Sequence, residues 1–391
     1  MSKRFEYSVV RIKDLAVRAT VDKIGERHVH EVVVNDEPVK PTKRFWNSLH
    51  LRFGFTGNIF RYFSHDEVFN RISAVAPNDR IRCCLERDDD GDARLLGVTN
   101  PSAALMPFDD LMGLLDRYDA ADVKYADGVV SSRHAPRCDG VFQVAGDGFQ
   151  NKYILSTPID GFGRPSVHLS LLRLVCSNGA VGYSPTFRSE LSVGKGDDGV
   201  AFALTRVLDG FNNEDGYAAL RQRFEAAAKS WASVNEVGRL YRTLTRVHNA
   251  GAPSPYPLTH PGGEGRVRGP ARGGDGAEET AGSPLFAAFH RLTGDLQRIY
   301  GMANLNALSV KRQRTLPAAC KVYDLLNFSS EVATHHADAI GGRMMQACIG
   351  DLISGEYDLE NTVDQFSDWR DFFVGSGTTA ETLADMNRRS R

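Results

Sequence analysis

The chain has 391 residues, of which 42% are hydrophobic and 25% charged, which is ordinary for a globular protein able to bury a sizeable core. A formal net charge of −2 argues against a protein that coats duplex DNA through bulk positive charge, so any nucleic-acid contact must be a local basic patch. The six cysteines form no CxxC pair, which disfavours a zinc ribbon or a disulfide scaffold and indicates a reducing compartment.

The N-terminal region predicts extended structure. Segments Tyr7–Val21 and Val29–Val34 are rich in β-branched residues, and Asn35-Asp36 follows the second as a turn would. The start has no apolar signal-peptide core, and no window approaches the roughly 18 apolar residues of a membrane span. We therefore expect a cytoplasmic protein without a membrane partner.

An aromatic and basic segment follows, from Phe45 to Phe63, with Arg44, Arg52 and Arg61 among five phenylalanines, one tryptophan and one tyrosine. Surfaces that bind single-stranded nucleic acid combine rings, on which bases stack, with guanidinium groups that meet phosphate. The other interpretation, a hydrophobic core with arginines reaching solvent, is the favoured one.

The next elements alternate between helix and strand. Ser64 and Glu67 form a capping box that predicts a helix running to Pro77. Segments 80–86 and 94–98 predict a hairpin around an acidic loop, which lacks the ligand pattern of a calcium site. Segment 108–118 predicts a short amphipathic helix.

The central stretch, 152–195, predicts a β-meander. Apolar runs Tyr153–Ile159 and Val167–Cys176 flank an Asp160-Gly161 turn. Asn178-Gly179 then closes a hairpin, because both central residues of a type I′ turn need positive φ. The second run is apolar on both faces, which places it inside a sheet.

A family resemblance rests on the same stretch. The run LRLVCSNG after Asp160-Gly161 resembles the signature of domain-of-unknown-function family 932, and the likeness extends to RFWNSLHLRFGF, FSHDEVFNRI and YDLLNFSSEVATHH. The resemblance implies a protein of phages, plasmids and integrated elements, in a bacterial host or a phage-infected cell, encoded near DNA-metabolism and anti-restriction functions. It transfers no residue role.

The C-terminal part is predicted to be helical. Tyr217–Trp231 has helical spacing, and a capping box from Ser233 to Glu236 opens a second helix. Residues 250–284 are rich in glycine and proline, which predicts a disordered insertion that proteases cut first. Helical spacing resumes over 285–299, Pro317 suits the first turn of a longer helix, and the tail 375–391 is polar.

The predicted organisation is therefore α+β. Residues 1–249 form a domain with a central, mostly antiparallel sheet packed by helices, followed by the insertion and by a helical segment, 285–374, that packs back on that domain.

Candidate catalytic and metal-binding groups are weak. Cys176 shares a strand face with His168, but about 27 Å of extended chain separates them, which leaves a small buried cysteine as the favoured interpretation. The pairs His28/His30 and His335/His336 lack further ligands and are interpreted as structural. No phosphate-binding loop, dinucleotide fingerprint or zinc-protease motif occurs, so we predict no cofactor and disfavour an enzyme.

Two functional hypotheses remain. The first is a nucleic-acid-handling factor of a mobile element that binds or anneals single strands, through the basic residues Arg173, Arg188, Lys195, Lys311, Arg312 and Arg314. The second is a protein-interaction factor, such as an inhibitor of host defence or a scaffold, and a homo-oligomer is compatible with either. Arg173 decides between them in part, because a guanidinium on an apolar strand face needs a partner: Glu190 of this chain or a phosphate.

Overall fold

The protein has an α+β fold, as the sequence predicts, with sheets that are mainly antiparallel. The structure is a computed structural model that describes residues 3–21, 27–89, 91–138, 140–174, 179–181, 187–194, 196, 198–251, 283–300 and 305–354. None of its helices is long and apolar enough to cross a membrane within these ranges.

The N-terminal sheet has six strands in the order β1-β5-β6-β4-β3-β2, with only the β4–β6 pair parallel. The predicted extended segment 7–21 is two strands with a 3-10 turn between them, and Asn35-Asp36 forms the predicted turn with positive φ at both residues. The hairpin predicted over 80–98 is confirmed. The strands are β1 (Arg4–Arg11), β2 (Ala16–Val21), β3 (Arg27–Val34), β4 (Glu37–Pro41), β5 (Arg80–Arg87) and β6 (Ala93–Thr99).

Two helices pack on this sheet, α1 (Lys43–Arg52) and α2 (His65–Val75). The Ser64–Glu67 capping box is present, and the backbone N–H of Ser64 donates to the Glu67 carboxylate at 2.8 Å. Phe45 and Trp46 are buried in the core that the helices share with the sheet. The favoured interpretation of the aromatic segment as core is therefore confirmed for its helical part.

The second sheet has seven strands, with the path β12-β11-β10-β8-β7 and two further strands paired to β10 and β11. The sequence predicted β10 and β11 but missed the strands between residues 121 and 144. The strands are β7 (Ala121–Ala126), β8 (Val129–His134), β9 (Val141–Val144), β10 (Asp147–Pro158), β11 (Ser166–Arg173), β12 (Gly179–Val181) and β13 (Arg188–Glu190).

Strand β11 lies inside this sheet, between β10 on one side and β12 and β13 on the other. Its residues are buried on both faces from Ser166 to Leu171, which confirms the prediction from its two apolar faces. The antiparallel β11–β12 pairing agrees with the predicted meander. Asn178, the first residue of the predicted Asn178-Gly179 turn, lies outside the described ranges.

Helices pack on the second sheet in two core clusters. Helices α3 (Phe108–Arg117) and α4 (Gly199–Gly210) share one core cluster with its strands, and α5 (Glu214–Lys229) and α6 (Val234–Gly251) share another. The helices of residues 283–354 join the second cluster. They are α7 (Pro284–Thr293), α8 (Leu296–Tyr300), α9 (Val310–Thr315), α10 (Val322–Glu331) and α11 (Ala339–Ile353).

Two C-terminal helix predictions are confirmed only in part, because the helices have other bounds than expected. The helix expected over 285–299 is broken at Gly294, whose φ of +74° ends α7 and favours glycine. Pro317 does not open a helix but begins strand β15 (Pro317–Lys321), which pairs with β14 (Trp231–Ser233). Proline is acceptable there because it is the first residue of the strand.

Two further predictions concern the start of α6 and the segment that follows it. The second capping box is confirmed, because the backbone N–H of Ser233 donates to the Glu236 carboxylate at 2.7 Å and opens α6. Most of the predicted 250–284 insertion, residues 252–282, lies outside the described ranges, as does the tail 375–391.

Candidate nucleic-acid interface

Arg173 pairs with a carboxylate of its own chain. It donates to Oδ1 of Asp147 at 2.7 Å, while the hydroxyl of Tyr323 donates to Oδ2 at 2.6 Å. Burial alone would raise the pKa of Asp147, but the hydrogen bonds from Arg173 and Tyr323 lower it below its ordinary value. The prediction that Glu190 is the partner of Arg173 is wrong. Asp147 is the first residue of β10, which pairs directly with β11, the strand that carries Arg173.

Arg188 is the second predicted site residue on this sheet. It lies on β13 and pairs with Glu190 at 3.2 Å, with both side chains largely exposed. Lys195, predicted beside it, lies outside the described residues. Arg173 and Arg188 are therefore each matched by an acidic residue, and we assign neither to a nucleic-acid surface.

Lys311, Arg312 and Arg314 behave differently. They lie on the exposed side of α9. The hydroxyl of Ser309 caps the N-terminus of this helix, and the side-chain amide of buried Gln313 donates to the Leu308 carbonyl at 2.8 Å. Within the described part of the chain, no ion pair involves Lys311 or Arg312. These two cations are available to an external anion.

Helix α6 adds a basic stripe that the sequence reasoning missed. Arg239, Arg242 and Arg246 follow one another at spacings of three and four residues, which places them on one face of the helix. Arg239 donates to Asp351 at 2.8 Å, whereas Arg242 and Arg246 are exposed. The spacing is visible in the sequence and was the signal that could have found them.

Helix α9, which carries Lys311 and Arg312, packs on α6, which carries the stripe. The residue after α9, Leu316, accepts a backbone hydrogen bond from Val234, the first residue of α6, at 2.8 Å. In the sequence, 58 residues separate the end of α6 at Gly251 from the start of α9 at Val310. The fold therefore joins two basic segments into one surface.

A groove of about 440 Å³ opens at this surface between α6 and α7. Tyr241 and His290 line it from the two helices, with ring centroids 5.9 Å apart, and Arg242 lines it one residue from Tyr241. Asp295 is the acidic residue in its wall, and Asn306, just before α9, closes one side. A ring pair beside arginine is suited to hold a flat, electron-rich group such as a nucleobase.

The aromatic segment near the N-terminus does not form a second platform. Phe45 and Trp46 are buried, and the guanidinium of Arg44 is bound to Asp160. Arg52 donates to the backbone carbonyl of Arg80 at 3.2 Å. These side chains are thus used to build the core and to fix the backbone, whereas the ring of Tyr62 is 79% exposed.

The other candidate groups do not assemble into a catalytic or metal site within the described ranges. Nε2 of buried His168 lies 3.1 Å from the hydroxyl of Ser166, and Cys176 falls outside those ranges. Burial raises the pKa of the Cys83 thiol to about 12, so this thiol is not a nucleophile at neutral pH. No group of three or more metal-ligating side chains occurs in the described structure.

Comparison with known proteins gives no match. No family model matches the chain, and no match was found among the curated proteins or the solved structures. The resemblance to family 932 therefore stays a prediction from the motifs.

Proposed function

We propose that the protein binds single-stranded nucleic acid along the surface formed by α9 and the stripe of α6. The observation that supports it best is that Lys311 and Arg312 are exposed and have no ion pair among the described residues, on a helix that packs on α6. Helix α6 is one wall of the groove of Tyr241, Arg242 and His290. Phosphates would meet the cations while one base enters the groove. A small local patch of this kind is compatible with a net charge of −2.

Single strands fit this surface better than a duplex. A duplex presents its bases stacked and paired, so the rings of Tyr241 and His290 would have nothing to hold. Readers of duplex sequence place a helix or a ribbon in the major groove, and α9, with six residues, is short for that purpose. A role on a phage or plasmid, as the family resemblance implies, would use such binding to handle strands exposed during replication or repair.

The test is fluorescence anisotropy with a labelled oligonucleotide, titrated from low to moderate salt. The charge-removing double variant Lys311→Ala/Arg312→Ala should bind about tenfold more weakly at low salt. It should also lower the slope of log K against log salt by about 1.4, since each phosphate contact on a single strand contributes about 0.7. The matched control is Arg11→Ala/Lys13→Ala, which removes two exposed cations from the N-terminal sheet.

Two results would overturn the proposal. One is the absence of binding by the unmodified protein at about 50 mM salt, where phosphate contacts are strong. The other is an equal loss in the control variant, which would mean that the binding is diffuse. Either result would favour the competing hypothesis, a protein partner.

A further inference from the structure

A second cavity, of about 340 Å³, lies between the β7–β8 side of the second sheet and helix α11. Ile154 and Ala126 form part of its floor, and Ala333 and Gly342 part of its roof. It shares no lining residue with the α6–α7 groove. Its volume falls in the range of sites for small molecules.

Two backbone irregularities meet at this cavity. In β7, the register slips between Ala121 and Lys124, and Asp122 has a φ of +56°. On the opposite wall, Val332–His336 form a π-helical turn before α11. Bulges and π-turns are concentrated near functional sites, where they redirect side chains. Here they direct Asp122, Lys124 and Thr334 to the cavity.

The acidic groups in the wall are outnumbered by basic ones, since the lining residues Lys124, Arg133 and Arg343 oppose Asp122 and Asp338. The Asp122 carboxylate accepts from Arg133 and lies 3.6 Å from Nζ of Lys124. The Asp338 carboxylate caps α11 by accepting from the backbone N–H of Gly341 at 2.6 Å. With both carboxylates counted, the cavity wall keeps one net positive charge.

One basic group of the cavity wall, Arg343, is not engaged by a carboxylate of the described structure. Arg343 donates through Nη1 to the backbone carbonyl of Ala126 at 2.8 Å, which fixes its guanidinium while leaving its positive charge without a carboxylate in the described structure. The first turn of α11, at Gly342, also borders the cavity and adds the positive end of a helix dipole. The electrostatics favour an anionic group beside Arg343.

Two buried polar atoms in the wall are unsatisfied. Oε1 of Gln346 and Nε of Arg133 have no accessible surface and no hydrogen-bond partner among the described residues. A buried acceptor without a donor destabilises a protein by about 1–3 kcal/mol. A ligand with an N–H or O–H group would remove that cost at Gln346.

We infer that this cavity binds a small metabolite that carries one carboxylate or phosphate group and one hydrogen-bond donor. Arg343 receives the anionic group, and Oε1 of Gln346 accepts from the donor. Amino acids and nucleoside monophosphates share this chemistry and match the size of the cavity.

The experiment measures the melting temperature of the full chain with three sets of probes: the proteinogenic amino acids, the ribonucleoside 5′-monophosphates, and inorganic phosphate. We expect members of one of the first two sets to raise the melting temperature with saturation. A rise with amino acids identifies a carboxylate ligand, and a rise with nucleotides or phosphate identifies a phosphate ligand.

Two variants then locate the binding. Gln346→Leu removes the unsatisfied acceptor, so the unliganded variant should melt at the same temperature or higher, yet bind the active probe about tenfold or more weakly. Arg343→Gln should weaken binding by a similar factor. Arg11→Gln, an exposed arginine on the other sheet, is the control and should bind normally.

Two outcomes would overturn the inference. One is that no probe in any set changes the melting temperature. The other is that binding is unchanged in both Gln346→Leu and Arg343→Gln, which would place the ligand elsewhere. Since the cavity is separate from the α6–α9 surface, oligonucleotide binding does not affect either result.

Discussion

Arg44 and Asp160 form a bidentate ion pair that ties the two sheets together. Nε of Arg44 lies 2.5 Å from Oδ2 of Asp160, and Nη2 lies 2.7 Å from Oδ1. The same guanidinium donates to the backbone carbonyl of Phe162 and lies over its ring. The Asp160 side chain is fully buried and that of Arg44 is 16% exposed, so the pair lies in the interior at the junction of α1 and the end of β10.

We expect Asp160→Ala to lower the free energy of unfolding by about 3–5 kcal/mol, because it leaves a buried guanidinium unpaired. Urea denaturation measures the change. Replacing both partners, as Arg44→Met/Asp160→Leu, should cost less than Asp160→Ala alone. A matched exposed pair, Arg188 and Glu190, should contribute about 1 kcal/mol or less, and an equal cost at the two sites would refute this role.

Gly97 provides the room for that ion pair. A Cβ at Gly97 would lie 2.6 Å from Oδ2 of Asp160, so Gly97→Ala should destabilise the protein by about 1–3 kcal/mol. Gly113, in an exposed turn of α3 with no atom within 4 Å of the added carbon, is the control. There alanine should stabilise the helix by up to about 1 kcal/mol.

The clash at Gly97 can be separated from a general packing defect. If the cost arises from displacing Asp160, Gly97→Ala should destabilise an Asp160→Ala background less than it destabilises the unmodified protein. Additive costs would contradict this explanation.

Two histidines with lowered pKa values, buried His134 and half-buried His65, should make the fold sensitive to acid. Burial lowers the pKa of His134 to about 4, and burial together with nearby His28 and His50 lowers that of His65 to about 4. Because both pKa values rise to the ordinary value of about 6.5 on unfolding, the unfolded chain takes up protons first as the pH falls. The stabilisation is complete above pH 6.5 and is lost progressively towards pH 4.

Thermal melts across this window test the prediction. The double variant His65→Gln/His134→Gln should melt at a temperature that changes less between pH 6.5 and 4 than that of the unmodified protein. His336→Gln, at an exposed position, is the control and should leave the pH dependence as it was. An unchanged slope in the double variant would assign acid sensitivity to other groups.

Arg173 should act on stability and not on ligand binding. Arg173→Ala leaves Asp147 with only the Tyr323 hydroxyl, so the free energy of unfolding should fall by about 1.5–3 kcal/mol, the range for hydrogen bonds to charged groups. Oligonucleotide affinity in the anisotropy assay should not change. A weaker affinity with a normal melting temperature would instead place a phosphate at Arg173.

Local patterns in the sequence determined much of the architecture. The capping boxes at Ser64 and Ser233, the Asn35-Asp36 turn and the doubly apolar strand β11 are correct, because each depends on hydrogen bonds or periodicity within a few residues. The missed strands β7 and β9 are largely exposed, and β8 buries Ser132 and His134 at alternate positions, so none of the three shows an alternation of apolar residues.

Only the tertiary structure decided which distant residues meet. Arg44 and Asp160 are 116 positions apart, and nothing near either residue indicates the other. Arg173 pairs with Asp147 and not with Glu190, because the register of β10 against β11 places the Asp147 carboxylate next to the Arg173 guanidinium. Pro317 lies in a strand because β15 pairs with β14. The local preference of proline for the first turn of a helix carries no information about that distant partner. The surface of α6 and α9 arises in the same way, from packing between segments that the chain keeps far apart.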